Sequence, residues 1–243
     1  MIGEDLNQYA QSYEGSSIYD LDNGVMLNWY SKRIIRLLNP ALSVLELGIG
    51  HGYTTYNFAR YFADYVVLEG SGHVIDQYQR NYPDSTAQFI NGRFEDFTAD
   101  RQFDVIVMGF VLEHVDDPVG LLARYRAYLK PGGRVFVAVP NAHAMNRRLG
   151  HLAGLLEDMQ ALSDYDFALG HKRYYSRETL ALDIDQAGYQ LHSLEGIYLK
   201  PFTTRQIQSL DLDDNVFKAL CELGVAYPEL SCAMLAELTP NNQ

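Results

Sequence analysis

Cysteine is scarce in this chain of 243 residues. The two that occur, Cys221 and Cys232, lie near the C-terminus without a C-x-x-C spacing or a nearby pair of histidines. A disulfide framework or a thiolate metal site needs such a pattern. We therefore expect both to be core thiols of a protein in a reducing cytoplasm.

Positive charge and long hydrophobic runs are lacking as well. Lys and Arg number 19 against 31 Asp and Glu, so the net charge is −12. A nucleic-acid surface needs a stripe of Lys and Arg to displace counterions from phosphates, and the sequence contains none. No apolar run is long enough to span a bilayer, and the acidic N-terminus is unlike a signal peptide. We expect a cytoplasmic protein, monomeric or homodimeric, whose partner is a small molecule rather than nucleic acid or a membrane.

Glycine, in contrast, is concentrated between Gly48 and Gly52. The segment Val44-Leu45-Glu46-Leu47-Gly48-Ile49-Gly50-His51-Gly52 predicts a buried strand that enters a turn and then a helix. Its alternate glycines permit positive φ angles and let a ligand lie against the main chain. The third glycine comes one residue earlier than in the G-x-G-x-x-G dinucleotide motif, where Tyr53 stands instead. An NAD-dependent oxidoreductase is therefore not the favoured interpretation.

Further landmarks follow in order along the chain. A second strand, 65–68, ends at Glu69-Gly70, and a carboxylate about 20 residues after such glycines binds both ribose hydroxyls in nucleoside-binding sheets. A third strand covers 87–90. A fourth begins at Phe103 and leads to Leu112-Glu113-His114-Val115-Asp116-Asp117-Pro118, where a helix opens. That helix closes at Lys130-Pro131-Gly132-Gly133, before a fifth strand over 134–141.

These landmarks resemble the motifs of class I S-adenosylmethionine (SAM)-dependent methyltransferases that act on small molecules. They are E-L-G-x-G-x-G, the acid after the second strand, L-E-H-V-x-D-P and K-P-G-G. The resemblance covers residues 44–141. It implies SAM as the cofactor and an α/β fold, a Rossmann-like, doubly wound sheet of seven strands with the last strand antiparallel. A helical N-terminal cap and a helical lid after the fifth strand are expected to complete this fold.

The sequence divides into four predicted parts. Residues 1–40 form a cap with a helix over 26–38, and residues 41–141 form the SAM-binding core. Residues 142–175 form a helical lid, interrupted at Gly150 and Gly154, over the carboxyl ends of the strands. Residues 176–243 complete the sheet with a helix over 177–187 capped by Ser176, a strand over 190–199, a helix over 207–223 and a strand over 232–238.

The resemblance places the cofactor at the turns that follow the first four strands. The common Gly-Asp pair after the third strand is replaced by Gly92-Arg93, so Phe94 and Glu95 become the adenine candidates, while Arg93 could stack or pair with an acid outside the pocket. The expected cofactor-binding residues are Glu46, Gly48, Gly50, Gly52, Glu69, Gly70, Arg93, Phe94, Glu95 and Phe110.

The catalytic candidates are implied by the reaction. An in-line methyl transfer needs alignment above all, and an alcohol or ammonium acceptor also needs a base. His114, at the carboxyl edge after the fourth strand, is the first candidate, with a structural role in its loop as the alternative. His171 and Tyr175 at the lid junction are the second candidates, or else they anchor the lid.

Four further residues are predicted to contact the substrate, namely Tyr13, Tyr19, Asn141 and Arg173. The two tyrosines would fold over the sulfonium and gain a cation–π attraction. Asn141 either contacts the substrate or caps the turn after the fifth strand, and Arg173 has the alternative of anchoring the lid. The seven histidines show no i, i+4 pair with an acid, so no metal site is predicted and a Mg²⁺-dependent, catechol-type enzyme is not expected.

The sequence thus favours an enzyme that transfers a methyl group from SAM to an oxygen or nitrogen of a small molecule, such as a sugar, an amino acid or a natural-product intermediate. A second hypothesis keeps the cofactor and changes the reaction, to cyclisation of SAM into azetidine-2-carboxylate and methylthioadenosine. A third is a non-catalytic binding or regulatory member of the fold, although the glycines and Glu69 are all present.

Overall fold

A single seven-stranded sheet organises the computed structural model, which describes residues 17–241. The strand order is β3-β2-β1-β4-β5-β7-β6. The strands are β1 Ser43–Leu47, β2 Asp64–Glu69, β3 Gln88–Asn91, β4 Phe103–Gly109, β5 Leu129–Pro140, β6 Tyr189–Ile197 and β7 Ala233–Pro240. Strands β1 to β5 pair in parallel, whereas β7 is antiparallel to both β5 and β6. The predicted Rossmann-like fold with an antiparallel last strand is confirmed.

Helices cover both faces of this sheet. They are α1 Asp20–Leu37, α2 Tyr53–Ala59, α3 Gly72–Asn81, α4 Pro118–Tyr125, α5 Met145–Leu152, α6 Asp164–Leu169, α7 Arg177–Gln186, α8 Thr204–Ser209 and α9 Asp214–Val225. Two apolar cores result because successive strand residues point to opposite faces. Leu45 of β1 packs with Leu180 of α7 in one core, and Val44 packs with Ile34 of α1 in the other. None of the helices in residues 17–241 is long and apolar enough to cross a membrane.

The position of the site follows from the strand order. The chain continues from β1 to β2 on one side and reaches β4 on the other, so the direction of winding reverses next to β1. Ligands of open α/β sheets bind beyond the carboxyl ends of the strands at such a switch point. The turns after β1, β2 and β4 meet there.

Several predicted element boundaries are wrong. Helix α1 begins at Asp20 rather than at 26, and α4 ends at Tyr125. The K-P-G-G segment belongs to β5, whose residue Leu129 already pairs with Phe103 of β4. The helix predicted over 207–223 is two helices, α8 and α9. Asp211 between them has a positive φ of 47°.

The segment after β5 contains two short helices, as a helical lid would require. Gly150 lies inside α5 instead of interrupting it, whereas Gly154, with φ 70°, follows the end of that helix. The capping prediction for α7 is confirmed, since Ser176 Oγ accepts from Thr179 N at 3.2 Å and Thr179 Oγ1 accepts from Ser176 N at 2.9 Å. The four-part division of the chain stays a prediction.

Candidate active site

A cavity of about 640 Å³ lies at the carboxyl ends of β1, β2 and β4. Its walls are the glycine turn after β1, the turns after β2 and β4, the start of α1 and the segment 163–174. The predicted site residues that line it are Tyr19, Glu46, Gly48, Gly50, Glu69, Gly70, Phe94, Phe110, His114, Asn141 and His171. Five others, Gly52, Arg93, Glu95, Arg173 and Tyr175, are not in its wall, and Tyr13 lies outside the described residues.

The glycine turn exposes main chain to this cavity. Gly48 and Gly50 adopt left-handed φ angles of 80° and 52°, which a side chain would strain. A Cβ added at Gly48 would lie 3.7 Å from the Phe94 ring and 3.9 Å from Val111. The space between turn and opposite wall is therefore kept open by the absence of a side chain. Gly52 has a different role, because a Cβ there would meet Tyr78 at 3.0 Å.

Glu69, at the end of β2, holds the turn to the strand. Its Oε2 accepts from Ile49 N at 2.9 Å and its Oε1 accepts from Ser71 N at 2.8 Å. Burial raises the pKa of Glu69 above its usual range, although the backbone N–H groups act against this. Each carboxylate oxygen accepts more than one hydrogen bond, so the oriented carboxylate keeps capacity for donors in the cavity.

Glu46 touches the same cavity but is bonded mainly inward. Its Oε2 accepts from Thr55 Oγ1 at 2.8 Å and from the hydroxyl of Tyr65. Burial raises the pKa of Glu46 to about 8. These contacts tie β1 to α2 and β2 next to the glycine turn.

Of the three cofactor-binding candidates after β3, Phe94 lies in the cavity wall, whereas Arg93 and Glu95 lie outside it. The ring of Phe94 lines the cavity opposite Gly48, and its carbonyl accepts from the Tyr125 hydroxyl at 2.9 Å. Arg93 and Glu95 instead form an ion pair at 3.9 Å outside the cavity wall. This arrangement supports the alternative that Arg93 pairs with an acid outside the pocket, and it gives Glu95 no contact with the cavity.

Aromatic side chains close two sides of the cavity. Tyr19, just before α1, stacks on Tyr165 of α6 with ring centroids 4.4 Å apart and an interplanar angle of 27°. Phe110, after β4, has a positive φ of 58° and packs edge-on against Tyr30. Such a φ in a non-glycine residue is costly and is typical of functional sites. The start of α1 thus meets the segment after β5 across the opening.

The far wall carries Glu113, His114 and His171, which we call the Glu–His–His cluster. One ligand-capable atom from each lies within 4.8 Å of the others. The two imidazole rings are 4.7 Å apart at 78°. Glu113 and His114 lie in the turn between β4 and α4, not in a helix as expected, because Asp117 caps α4 and accepts from Gly120 N at 2.8 Å.

Backbone pairing brings His171 to this turn. Lys172 N donates to Glu113 O at 2.8 Å, and the Arg173 guanidinium donates to Leu112 O at 3.2 Å. His171 Nδ1 lies 2.9 Å from Asp166 Oδ1. Since an ionised carboxylate only accepts, Nδ1 is the donor of that bond. In the neutral imidazole, Nε2 is then the nitrogen that carries the lone pair.

The comparisons with known proteins agree with this geometry. The family profile described as a methyltransferase domain matches residues 26–194, more than half of the chain. The chain belongs to this methyltransferase family. The resemblance to class I SAM-dependent methyltransferases is thereby confirmed, with SAM as the methyl donor.

Individual relatives of this methyltransferase are distant. It is 27% identical over 156 residues to the cypemycin N-terminal methyltransferase of a Streptomyces species, a match that covers 63% of this chain and 58% of the relative. It is 25% identical over 209 residues to the ubiquinone biosynthesis O-methyltransferase of Acinetobacter baumannii strain SDF, a match that covers 84% of this chain and 86% of the relative. Its fold matches that of the N-methyltransferase NodS of Bradyrhizobium japonicum WM9, which was solved with S-adenosylhomocysteine (SAH). The TM-score is 0.60 at 14% identity, and the match covers 99% of this chain and 100% of NodS.

The residues of this methyltransferase fit SAM. The glycine turn offers a side-chain-free surface, the Glu69 carboxylate has acceptor capacity for the hydroxyls of a ribose, and Phe94 contributes an aromatic ring to the wall. The Glu–His–His cluster lines another part of the same cavity.

Burial controls the charges of the Glu–His–His cluster. It raises the pKa of Glu113 to about 7, although His171 acts against it. Burial, with a smaller effect of His171, lowers the pKa of His114 to about 3. Burial also lowers the pKa of His171, but the hydrogen bond that His171 donates to Asp166 and the charges of Glu113 and Asp166 outweigh it, so this pKa is raised. His114 is consequently neutral at physiological pH.

Three predicted residues of this methyltransferase are engaged elsewhere. Tyr175 is 1% exposed, belongs to the core, and donates to Asp183 at 3.0 Å, so it is not placed to act as a base. Arg173 donates to two backbone carbonyls of the turn after β4, the anchoring alternative. Asn141 donates to Pro228 O at 3.1 Å and Ser231 O at 2.9 Å and accepts from His143 N at 2.8 Å. Its side chain caps the turn.

The sequence analysis missed other polar residues of the site. Glu113 and Asp166 were not among the candidates, although the D-x-x-x-x-H spacing of Asp166 and His171 was visible. At another wall, Lys200 Nζ lies 2.6 Å from Asp22 Oδ2, and both side chains are buried. No local pattern predicts a pair 178 residues apart.

Proposed function

We propose that this methyltransferase methylates an oxygen or nitrogen of a small molecule held between SAM and the Glu–His–His cluster. The observation that carries the proposal is one continuous cavity that is lined by the Glu69 carboxylate and the glycine turn and also by Glu113, His114 and His171. Its volume of about 640 Å³ is in the usual range of small-molecule pockets. The net charge of −12 does not favour a nucleic-acid acceptor.

The chain contributes mainly alignment and exclusion of water. SAM supplies an electrophilic methyl group on a sulfonium. Glu69 and the turn at Gly48 fix the nucleoside, and the stacked Tyr19 and Tyr165 cover the opening. Alignment of two reactants in this way is worth up to roughly 7–11 kcal/mol.

The Glu–His–His cluster is the part of the wall that activates the acceptor. A hydroxyl or ammonium acceptor must lose a proton, and three titratable side chains meet in this cluster. Asp166 orients His171 as a carboxylate orients a catalytic imidazole. The relatives, one named as an O-methyltransferase and one as an N-terminal methyltransferase, are compatible with either acceptor atom.

The test is product analysis with purified protein. SAM is incubated with a panel of phenols, hydroxy acids, amino acids and peptides with free N-termini, and products are measured by mass spectrometry. We expect SAH to form in step with one methylated acceptor class. Tight SAM binding without SAH from any acceptor would refute the proposal, and methylthioadenosine formed without acceptor would instead indicate cyclisation of SAM.

A further inference from the structure

The Glu113 side chain is buried next to the two histidines of the cluster. It is 0% exposed, and neither carboxylate oxygen has a hydrogen-bond partner among the residues that the structure describes. A buried carboxylate without partners is costly, and such groups are normally paired or bound to a metal. Glu113 belongs to the cavity wall, and its carboxylate lies beside two imidazoles.

The imidazole of His171 is oriented as that of a metal ligand is. His171 donates its Nδ1 proton to Asp166 at 2.9 Å, which fixes the tautomer and leaves Nε2 as a ligand atom. Histidines that bind metals almost always donate their other ring N–H in this way. Asp166 is itself held by the cap of α6, since it accepts from Ser163 N at 2.8 Å. Ligand, orienting carboxylate and helix cap therefore form one connected unit.

We propose that Glu113, His114 and His171 bind one divalent transition-metal ion. The potential ligand atoms lie within 4.8 Å of one another, and ligands at about 2.1 Å from one ion lie about 3–4 Å apart. Small side-chain rotations complete the site. Two imidazoles with one carboxylate favour ions such as Zn²⁺ or Fe²⁺ over Mg²⁺ or Ca²⁺, which prefer oxygen ligands.

Three protein ligands leave at least one coordination position open toward the cavity. An ion there would bind the acceptor's oxygen or nitrogen and lower its pKa. This role for the metal rests on the proposed methyl transfer, whereas metal binding itself does not. The two statements can therefore fail separately.

The test is titration of the metal-stripped full-length chain with Zn²⁺ by calorimetry and with Co²⁺ by visible absorption, without SAM. We expect one equivalent of each ion and Co²⁺ ligand-field bands. E113Q and H171A should each weaken binding at least tenfold, and D166N by about 10- to 100-fold. The matched controls H192A and E222Q, at exposed positions, should bind as the unaltered protein does.

Circular dichroism of each variant confirms that it is folded. The inference would be overturned if the unaltered protein took up no metal, or if E113Q and H171A bound metal as tightly as the unaltered protein does. If SAH still forms from SAM and an acceptor in that case, the proposed function stands with His171 as an Asp166-oriented base. If metal binds but no acceptor yields SAH, the proposed function fails and the metal site stands.

Discussion

Replacement of Glu69 by alanine tests the proposed contact between this carboxylate and the ribose of SAM. In the free protein this carboxylate accepts from Ile49 N at 2.9 Å and from Ser71 N at 2.8 Å. In the proposed complex it also accepts from both ribose hydroxyls. The substitution therefore acts twice, on the shape of the glycine turn and on the ligand.

The expected loss follows from these bonds. A hydrogen bond to a charged group contributes about 1.5–3 kcal/mol, so two ribose bonds give at least about 3 kcal/mol, or a Kd for SAH raised about 100-fold or more. Loss of the two backbone bonds should also lower the free energy of unfolding, by about 1–3 kcal/mol. The fold, held by two large cores, should persist.

Calorimetric titration with SAH, at a temperature well below unfolding, measures the Kd. Urea denaturation measures the free energy of unfolding. The matched control is D64N, at the other end of the same strand, where the carboxylate forms an ion pair with exposed Arg101. We expect D64N to bind SAH as the unaltered protein does. A Kd for E69A within threefold of that value would show that the ribose does not lie against Glu69.

Three other substitutions test the surrounding structure. G48A should lower the free energy of unfolding by about 1–2 kcal/mol and weaken SAH binding. The control G132A has a similar φ of 77° but no atom within 4 Å of an added Cβ, so it should lower stability without weakening SAH binding. Equal SAH affinities of G48A and G132A would contradict this prediction. K200M should lower the free energy of unfolding in urea by about 3–5 kcal/mol, because it leaves the buried Asp22 without a counter-charge and with only the hydrogen bond from Thr204. The exposed control K218M should change this free energy little, and a loss below 1 kcal/mol for K200M would refute the prediction. Burial raises the pKa of Glu46 to about 8, so between about pH 4.5 and 8 the folded chain keeps a proton that the unfolded chain loses. The free energy of unfolding should therefore fall by at most about 5 kcal/mol as the pH rises through this range. E46Q should make this decline shallower, and identical pH profiles would contradict the assignment.

The sheet could be predicted because its strands are short apolar runs covered on both faces. The prediction of β2 at 65–68 differs from the observed Asp64–Glu69 by one residue at each end. The helices were harder. The start of α1 is polar, and its buried Asp22 is matched by Lys200 from the other end of the chain. Asp213, which caps α9, splits the predicted 207–223 helix because its Oδ1 accepts from Asn215 N at 2.8 Å.

The cofactor half of the site was more predictable than the acceptor half. Gly48, Gly50 and Glu69 act through the backbone of consecutive turns, so their spacing along the chain carries the information. The Glu–His–His cluster depends on Lys172 pairing with the backbone of Glu113, a long-range contact that no spacing rule contains. The absence of an i, i+4 histidine pair therefore did not bear on whether a metal site forms.

The most direct measurement is a crystal structure of the full-length protein with SAH. The account predicts the ribose hydroxyls on the Glu69 carboxylate, the adenine beside Phe94, and the sulfur directed past Phe110 toward Glu113, His114 and His171. SAH bound with its ribose away from Glu69, or with its sulfur directed away from the Glu–His–His cluster, would contradict it.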